Sequence, residues 1–137
     1  DSFGHQAADN VLREIAACVQ NTLSRQGDRV FRIGGEEFAV LAGAADEAQL
    51  RSLMEKIRTE VEALQLKHPN GPKAVVTVSL GGLLVCGCCD LSFDGAFKKA
   101  DEALYQAKAR GRNRSMLADT SCLVSVPPAR LRSLKRS

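Results

Sequence analysis

Two adjacent carboxylates, Glu36 and Glu37, directly follow a Gly-Gly pair between two apolar runs. This pattern, over residues 31 to 41, predicts a β-hairpin. Gly34 and Gly35 tolerate positive φ at both central positions of a tight turn, and a backbone without side chains lets a ligand approach closely. Consecutive residues at the start of a strand point to opposite faces. We therefore expect the two acids to have different roles.

The chemistry that this hairpin could support is metal-assisted phosphoryl transfer. Mg²⁺ takes hard oxygen ligands, typically one or two carboxylates, and completes its coordination with water and phosphate oxygens. One acid could hold the metal while the other meets a substrate hydroxyl, which suggests a nucleoside triphosphate site. The alternative is an exposed turn in which two acids only add solubility. The hairpin alone leaves both interpretations open.

Composition predicts one ordinary soluble domain. The chain has 137 residues, of which 45% are hydrophobic and 26% charged. Its formal charge of +3 comes from the last stretch, because without the four basic residues there the charge is −1. Aromatic residues make up only 4% of the chain, so a basic, aromatic nucleic-acid surface is not predicted. Those four basic residues are Arg130, Arg132, Lys135 and Arg136.

No run of eighteen apolar residues and no signal peptide occurs in the sequence, so we expect a cytoplasmic domain without direct membrane contact. A parent protein could still be anchored elsewhere. The cysteine count is odd, which argues against a disulfide framework. A zinc site would need a second ligand pair, and only His68 is near, so zinc is not predicted. The cysteines are Cys18, Cys86, Cys88, Cys89 and Cys122.

Hydrophobic periodicity predicts three helices. The first has Asp9 in its first turn and ends near Ser24. The second is capped by Asp46, and the third begins at Ser92 and ends at Gly111 as a C′ residue. Their predicted buried positions include Val11, Leu12, Ile15, Ala16, Val19, Leu23, Leu50, Leu53, Met54, Ile57, Val61, Leu64, Phe93, Ala96, Phe97, Ala100, Leu104 and Ala107.

The remaining segments are predicted to be strands and loops. Residues 74 to 85 are apolar and β-branched enough for an interior strand, and residues 115 to 118 for a short final one. His68 falls in a turn cluster with two prolines. Residues 119 to 137 have no convincing periodicity, so we expect a flexible basic tail there.

Several motifs together resemble the GGDEF family of diguanylate cyclases. Residues 34 to 38 are similar to the family signature in its GGEEF form. Residues 1 to 9 resemble the ND-x-x-GH-x-x-GD segment entered at its second residue, with Ala8 in place of a Gly. Residues 98 to 113 resemble the ending A-D-x-A-L-Y-x-A-K-x-x-G-R-N, and residues 76 to 81 resemble the V-T-x-S-x-G strand.

The resemblance implies an α/β (α+β) fold, a nucleotide-cyclase palm of the ferredoxin-like type. Its mixed sheet is flanked by helices and carries GGEEF on a hairpin. The implied reaction joins two GTP molecules into cyclic di-GMP with release of pyrophosphate, in a homodimer with one GTP per domain. Mg²⁺, or Mn²⁺ as an alternative, would be held by Glu37 and Glu36. Glu36 would also assist the attacking 3′-hydroxyl.

The same resemblance assigns substrate contacts. Asp9 would accept hydrogen bonds from guanine, and His5 would lie against the nucleotide. Without the resemblance, Asp9 is a helix acid and His5 a local turn residue. Lys108 and Arg112 would neutralise the phosphates, although cations at a helix C-terminus are favourable anyway. Gly34 and Gly35 would let the nucleotide lie against the hairpin.

An inhibitory product site is implied at Arg25 and Asp28, which match the family's R-x-x-D motif at the required offset from the Gly-Gly pair. An arginine can clamp phosphate or stack on guanine, and an aspartate can hold the guanine edge. By offset, Lys56 takes the place of an arginine that completes this site in the family, so one bidentate contact would be lost.

The resemblance makes residues 1 to 118 the GGDEF domain, N-terminally incomplete. The family's first strand, which carries a D-x-D type metal aspartate and lies centrally in the sheet, is not in this chain, so the fragment itself could be inactive. An upstream sensor domain is expected in the parent protein. One alternative is a receptor that senses cyclic di-GMP through Arg25 and Asp28, and another is a domain that only binds GTP and regulates a neighbour.

Overall fold

The structure, a computed structural model, describes residues 2–68, 71–85, 92–118 and 129–136. It combines helices and strands in alternation, as the mixed α/β prediction requires. The elements are α1 (Ser2–Thr22), β1 (Arg29–Gly34), β2 (Glu37–Ala42), α2 (Glu47–Ala63), β3 (Lys67–His68), β4 (Gly71–Val75), β5 (Val78–Leu84), α3 (Phe93–Ala109), β6 (Ser115–Leu117) and β7 (Ala129–Arg136).

A five-stranded mixed sheet with the order β1-β2-β7-β5-β6 organises the domain. The predicted hairpin is confirmed, since β1 and β2 pair antiparallel with Arg29 opposite Leu41. At the other edge β5 and β6 are parallel, with Leu80 opposite Ser115. Such a pair needs a crossover, which α3 supplies.

Strand β7 differs from the expectation of a flexible tail, because it lies in the centre of the sheet. It pairs antiparallel with both β2 and β5. The ladder with β2 shifts register between Leu131 and Leu134, and the ladder with β5 shifts between Arg132 and Leu134, so a bulge interrupts this strand. The two leucines, Leu131 and Leu134, are three residues apart, and this spacing conceals the two-residue period of a strand. The division into residues 1 to 118 and a tail stays a prediction.

The helices largely follow their predicted caps. The side chain of Asp46 accepts a hydrogen bond from the backbone N–H of Gln49 at 2.9 Å, and Ser92 Oγ accepts one from Gly95 at 3.0 Å. Helix α1 begins about two turns earlier than expected, at Ser2, so the placement of Asp9 in its first turn was wrong. Residues 2 to 8 contain no Pro and include two alanines, which extend the helix easily.

Strands β3 and β4 pair antiparallel in a small separate sheet of two strands. The prediction that His68 is a loop residue was wrong, because His68 belongs to β3 and pairs with Gly71 of β4. The single strand predicted over residues 74 to 85 is divided into β4 and β5, which belong to different sheets. A continuous apolar run carries no signal of that division.

The core lies between the sheet and the pair α1 and α2, which pack on each other. Helix α3 packs against β5, where a Cβ on Gly81 would overlap the backbone of Ala100 and Leu104. Gly81 therefore sets how closely α3 approaches the sheet. In the described part of the chain, no helix is long and apolar enough to cross a membrane. The largest fully buried side chains are Ile15, Leu50, Met54, Ile57, Leu80, Leu83, Leu104, Val19, Val40 and Val61.

Candidate functional site

The GGEEF turn is formed by Gly35 and Glu36, and the last pair of the hairpin is Gly34 with Glu37. The tolerance of Gly34 and Gly35 for positive φ is not used here, since positive φ among the described glycines occurs at Gly27 and Gly111. A Cβ on Gly35 would meet no atom within 4 Å. The backbone at Gly35 is thus open to a ligand, as expected for a residue without a side chain.

The two acids of the turn are placed differently. Glu36 lies in the turn and is exposed, whereas Glu37 is the first residue of β2 and is half-buried. Among the described residues, no three His, Cys, Asp or Glu side chains form a metal-binding group. Carboxylates are nevertheless donors that divalent cations such as Mg²⁺ take in proteins, typically one or two together with water and phosphate oxygens.

Arg32 connects the turn to helix α1. Its guanidinium donates two hydrogen bonds to the carbonyl oxygen of Gly35, at 3.1 Å from Nε and 2.8 Å from Nη2. Its Nη2 also lies 3.5 Å from the carboxylate of Asp9. Sequence reasoning gave Arg32 no role. An arginine two residues before a Gly-Gly turn was the available signal, because its planar fork suits a turn carbonyl.

A cleft of about 120 Å³ lies beside this ion pair, between α1 and the hairpin. Asp9 is exposed and belongs to α1, the helix that contributes Leu12 and Ala16 to the wall of the cleft. The structure thus places Asp9 beside the arginine that bonds the carbonyl of the hairpin turn. His5 belongs to α1, but its side chain lies outside the described part of the chain.

The C-terminus of α3 carries the two predicted phosphate-binding residues. Lys108 lies in its last turn, and Arg112 follows Gly111, which has a φ of 117°. The N–H of Gly111 bonds the carbonyl of Lys108 and that of Arg112 bonds the carbonyl of Ala107, which is a Schellman motif. The guanidinium of Arg112 projects from an exposed residue.

The GGEEF turn and the end of α3 lie at the same end of the sheet. Glu37 is in register with Lys135 of β7, which is also in register with Ser79 of β5. The next residue of β5, Leu80, pairs with Ser115, directly after the turn that carries Arg112. Three strand spacings separate β2 from β6, so these turns are roughly 14 Å apart. A nucleotide with three phosphates could contact both.

Arg25 and Asp28 lie at the opposite end of β1, roughly 20 Å from Gly34 along the strand. Asp28 is buried, and its carboxylate oxygens accept hydrogen bonds from the backbone N–H groups of Gly43, at 3.1 Å, and Arg25, at 3.3 Å. The exposed guanidinium of Arg25 donates to Gln49 of α2 at 3.3 Å. Lys56 lies about two helical turns further along α2.

Comparison with known proteins gives this geometry a family context. The profile of the family described as "Diguanylate cyclase, GGDEF domain" matches residues 1–114. "Diguanylate cyclase DosC" of Escherichia coli K12 is 38% identical over 114 residues, which are 83% of this chain and 24% of that protein. "Diguanylate cyclase DgcP" of Pseudomonas aeruginosa PAO1 is 39% identical over 118 residues, 86% of this chain and 17% of that protein. The chain thus spans about a quarter or less of these two relatives.

A solved structure with the same fold comes from Vibrio cholerae and is described as the active GGEEF domain of a diguanylate cyclase. It is 32% identical in sequence, with a TM-score of 0.70. The similarity covers 88% of this chain and 74% of that one. This agrees with the mixed α/β palm predicted for the chain.

Proposed function

Because this chain belongs to the GGDEF family of diguanylate cyclases, we propose that it takes part in the condensation of two GTP molecules into cyclic di-GMP. The 3′-hydroxyl of each GTP attacks the α-phosphorus of the other. Each attack forms a phosphodiester bond and releases one pyrophosphate, and each hydroxyl proton passes to a base or to water. The observation that carries the proposal is the shared sheet end of the GGEEF turn and the α3 C-terminus.

In this proposal, different residues at that end of the sheet bind the base and the phosphates of the nucleotide. Asp9 accepts hydrogen bonds from the guanine N–H groups, a role that suits a carboxylate. The open backbone at Gly35 lets the nucleotide lie against the turn. Lys108 and Arg112 offset the phosphate charge, and Arg112 does so with a fork that matches phosphate oxygens. Positioning and charge neutralisation are the main requirements of phosphoryl transfer.

Glu36 and Glu37 are the proposed carboxylates of the reaction. Both would hold a divalent cation, Mg²⁺ or Mn²⁺, which when bound supplies charge neutralisation for the phosphates. Glu36 is the more exposed and lies at the apex of the turn, so we assign it to the attacking hydroxyl. Glu37 is half-buried in β2 and serves as the fixed ligand.

The proposed partners follow from the reaction. Each chain holds one GTP, so a second copy of the chain must supply the other, and catalysis requires a homodimer. A sensor domain in the parent protein would control that encounter. Because GTP is the proposed substrate, we also propose a cytoplasmic location for this domain.

The proposal is tested by incubating the chain with GTP and Mg²⁺ at increasing protein concentration and measuring cyclic di-GMP. We expect a rate that rises more steeply than linearly with concentration. Either Glu36→Gln or Glu37→Gln should abolish synthesis without changing the Tm. Glu14→Gln removes an exposed acid of α1 and is the matched control. Undiminished synthesis in both turn variants would reject these roles.

A separate product site is proposed at Arg25, at the far end of the hairpin. The support is its exposed guanidinium, whereas Asp28 orders the loop through two backbone N–H groups. Cyclic di-GMP that binds wild type but not Arg25→Ala would support this site. Copurified cyclic di-GMP without any turnover would favour the receptor function over the enzyme.

A further inference from the structure

We propose that Arg58, together with Glu55 and Glu62, holds the turn after α3 so that Arg112 faces the nucleotide phosphates. These three residues of α2 are positioning residues, since they would act through Arg112 rather than touch the nucleotide. The inference rests on the proposed function, because it takes Arg112 to be a phosphate contact.

Arg58 is the centre of a polar network on one face of α2. Its side chain is only 19% exposed. It donates three hydrogen bonds of 3.0 to 3.2 Å to the carboxylate of Glu55, and its Nη1 lies 3.7 Å from Glu62. The spacing of 55, 58 and 62 places the three on one side of the helix. Hydrogen bonding to Glu55 raises the pKa of Arg58, so this charge is retained.

Asn113 joins this network to the turn. Its side-chain oxygen accepts a hydrogen bond from Arg58 Nη1 at 3.1 Å, and its side-chain nitrogen donates one to Glu62 at 2.6 Å. Ser115, two residues later, donates from its hydroxyl to Glu55 at 2.8 Å. Three residues of α2 thus contact Asn113 and Ser115, on the C-terminal side of the turn and 51 to 60 residues away in the chain.

The backbone of this turn needs such support. Arg112 and Asn113 have φ values of 63° and 46°, in the left-handed region. Asn tolerates that region, but an arginine there is strained by about 1–3 kcal/mol. A contact within the turn adds to this, since Arg114 Nε donates to the carbonyl of Arg112 at 3.2 Å. Contacts of Asn113 and Arg114 therefore hold the backbone at and directly after Arg112.

The network has a consequence for binding. If Asn113 were released, Arg112 could relax to a negative φ, and its side chain would leave the end of the sheet where the GGEEF turn lies. An arginine kept in one backbone conformation loses less freedom when it binds phosphate. Arg58 thus orients Arg112 for the phosphate contact and does not itself touch the phosphates.

The test combines nucleotide affinity with amide exchange in the full chain. Arg58→Met should weaken GTP binding about five- to thirtyfold. In Arg58→Met/Arg112→Ala the loss should equal that of Arg112→Ala alone, because Arg58 acts through Arg112. The amides of Gly111 and Arg112 should exchange faster in Arg58→Met. Arg58→Lys, which keeps the charge, should restore part of the affinity.

Arg29→Met is the matched control, since Arg29 is an exposed arginine at the start of β1, at the end of the hairpin opposite the GGEEF turn. It should change neither property. Additive losses in the double variant, or unchanged exchange at Gly111 and Arg112, would overturn the proposal. If Arg58→Met does not fold, Asn113→Ala replaces it with the same expectations. Wild type that fails to bind GTP would reject the proposed function, and the exchange measurement would still decide the role of Arg58.

Discussion

Arg32 shows how one side chain can couple two parts of the candidate site. It binds the carbonyl of Gly35 with two nitrogens and lies beside Asp9. A guanine held by Asp9 would share that carboxylate with Arg32, so base binding and the shape of the turn are linked. The ion pair itself is exposed and contributes little to stability. Its proposed importance lies in the geometry of the turn.

The ionisation of Glu55 predicts a pH dependence of stability. Hydrogen bonding to Arg58, and less strongly to Ser115, lowers the pKa of Glu55 below its usual value of 4.5, although burial opposes this. A lowered pKa in the folded state means that ionised Glu55 stabilises the fold above its unfolded-state pKa, and that this contribution is lost as the pH falls through the folded-state pKa.

We therefore expect the difference in Tm between wild type and Glu55→Gln to be largest near neutral pH and to shrink as the pH falls through the folded-state pKa of Glu55. Thermal unfolding followed by circular dichroism across this range measures it. Glu14→Gln is the control and should give a Tm difference that does not follow this profile. A constant difference between wild type and Glu55→Gln would contradict the network.

At the scale of elements, β7 departs most from what its sequence suggests. Four basic residues and two leucines three apart do not predict a central strand. It is a strand because it lies between β2 and β5, whose backbone N–H and C=O groups need hydrogen-bond partners. From the family resemblance, a strand with a metal-binding aspartate was expected at the centre of the sheet. In this structure β7 lies there, with Lys135 in register with Glu37.

Proline at position 130 tests this strand. Arg130 is in register with Leu41 of β2 and Leu83 of β5, away from the bulge, and Arg130→Pro removes a backbone donor from a central strand, where proline is not tolerated. We expect a loss of about 1–3 kcal/mol in the free energy of unfolding, or a fall in Tm of roughly 5 °C or more. Arg130→Ala removes the same charge and keeps the donor, so it should stay near wild type. Equal Tm values for the two variants would mean that β7 does not hold the sheet together.

Local signals in the sequence predicted most elements of the domain. The caps Asp46 and Ser92, the C′ residue Gly111 and the hairpin were all readable because each depends on neighbouring residues. The start of α1 was predicted wrongly because alanines favour a helix without marking the residue at which it begins. Contacts between distant segments, such as Arg58 with Asn113, leave no periodic trace in a sequence. They required the tertiary structure.

At the scale of the whole molecule, the sheet separates two groups of residues. One end holds the GGEEF turn with Asp9 nearby and the turn that carries Arg112, and the other end holds Arg25 and Asp28. Sequence offsets predicted both groups but could not show that they lie at opposite ends. This separation would allow substrate and product to bind one chain at the same time.

The central claim is that GTP binds across the first of these ends. Amide hydrogen exchange of the chain, with and without a non-hydrolysable GTP analogue and Mg²⁺, tests it most directly. We predict that the analogue slows exchange in residues 34 to 37 and in residues 110 to 114, and leaves residues 25 to 28 unchanged. Slowed exchange confined to residues 25 to 28, or absent from either predicted segment, would contradict the account.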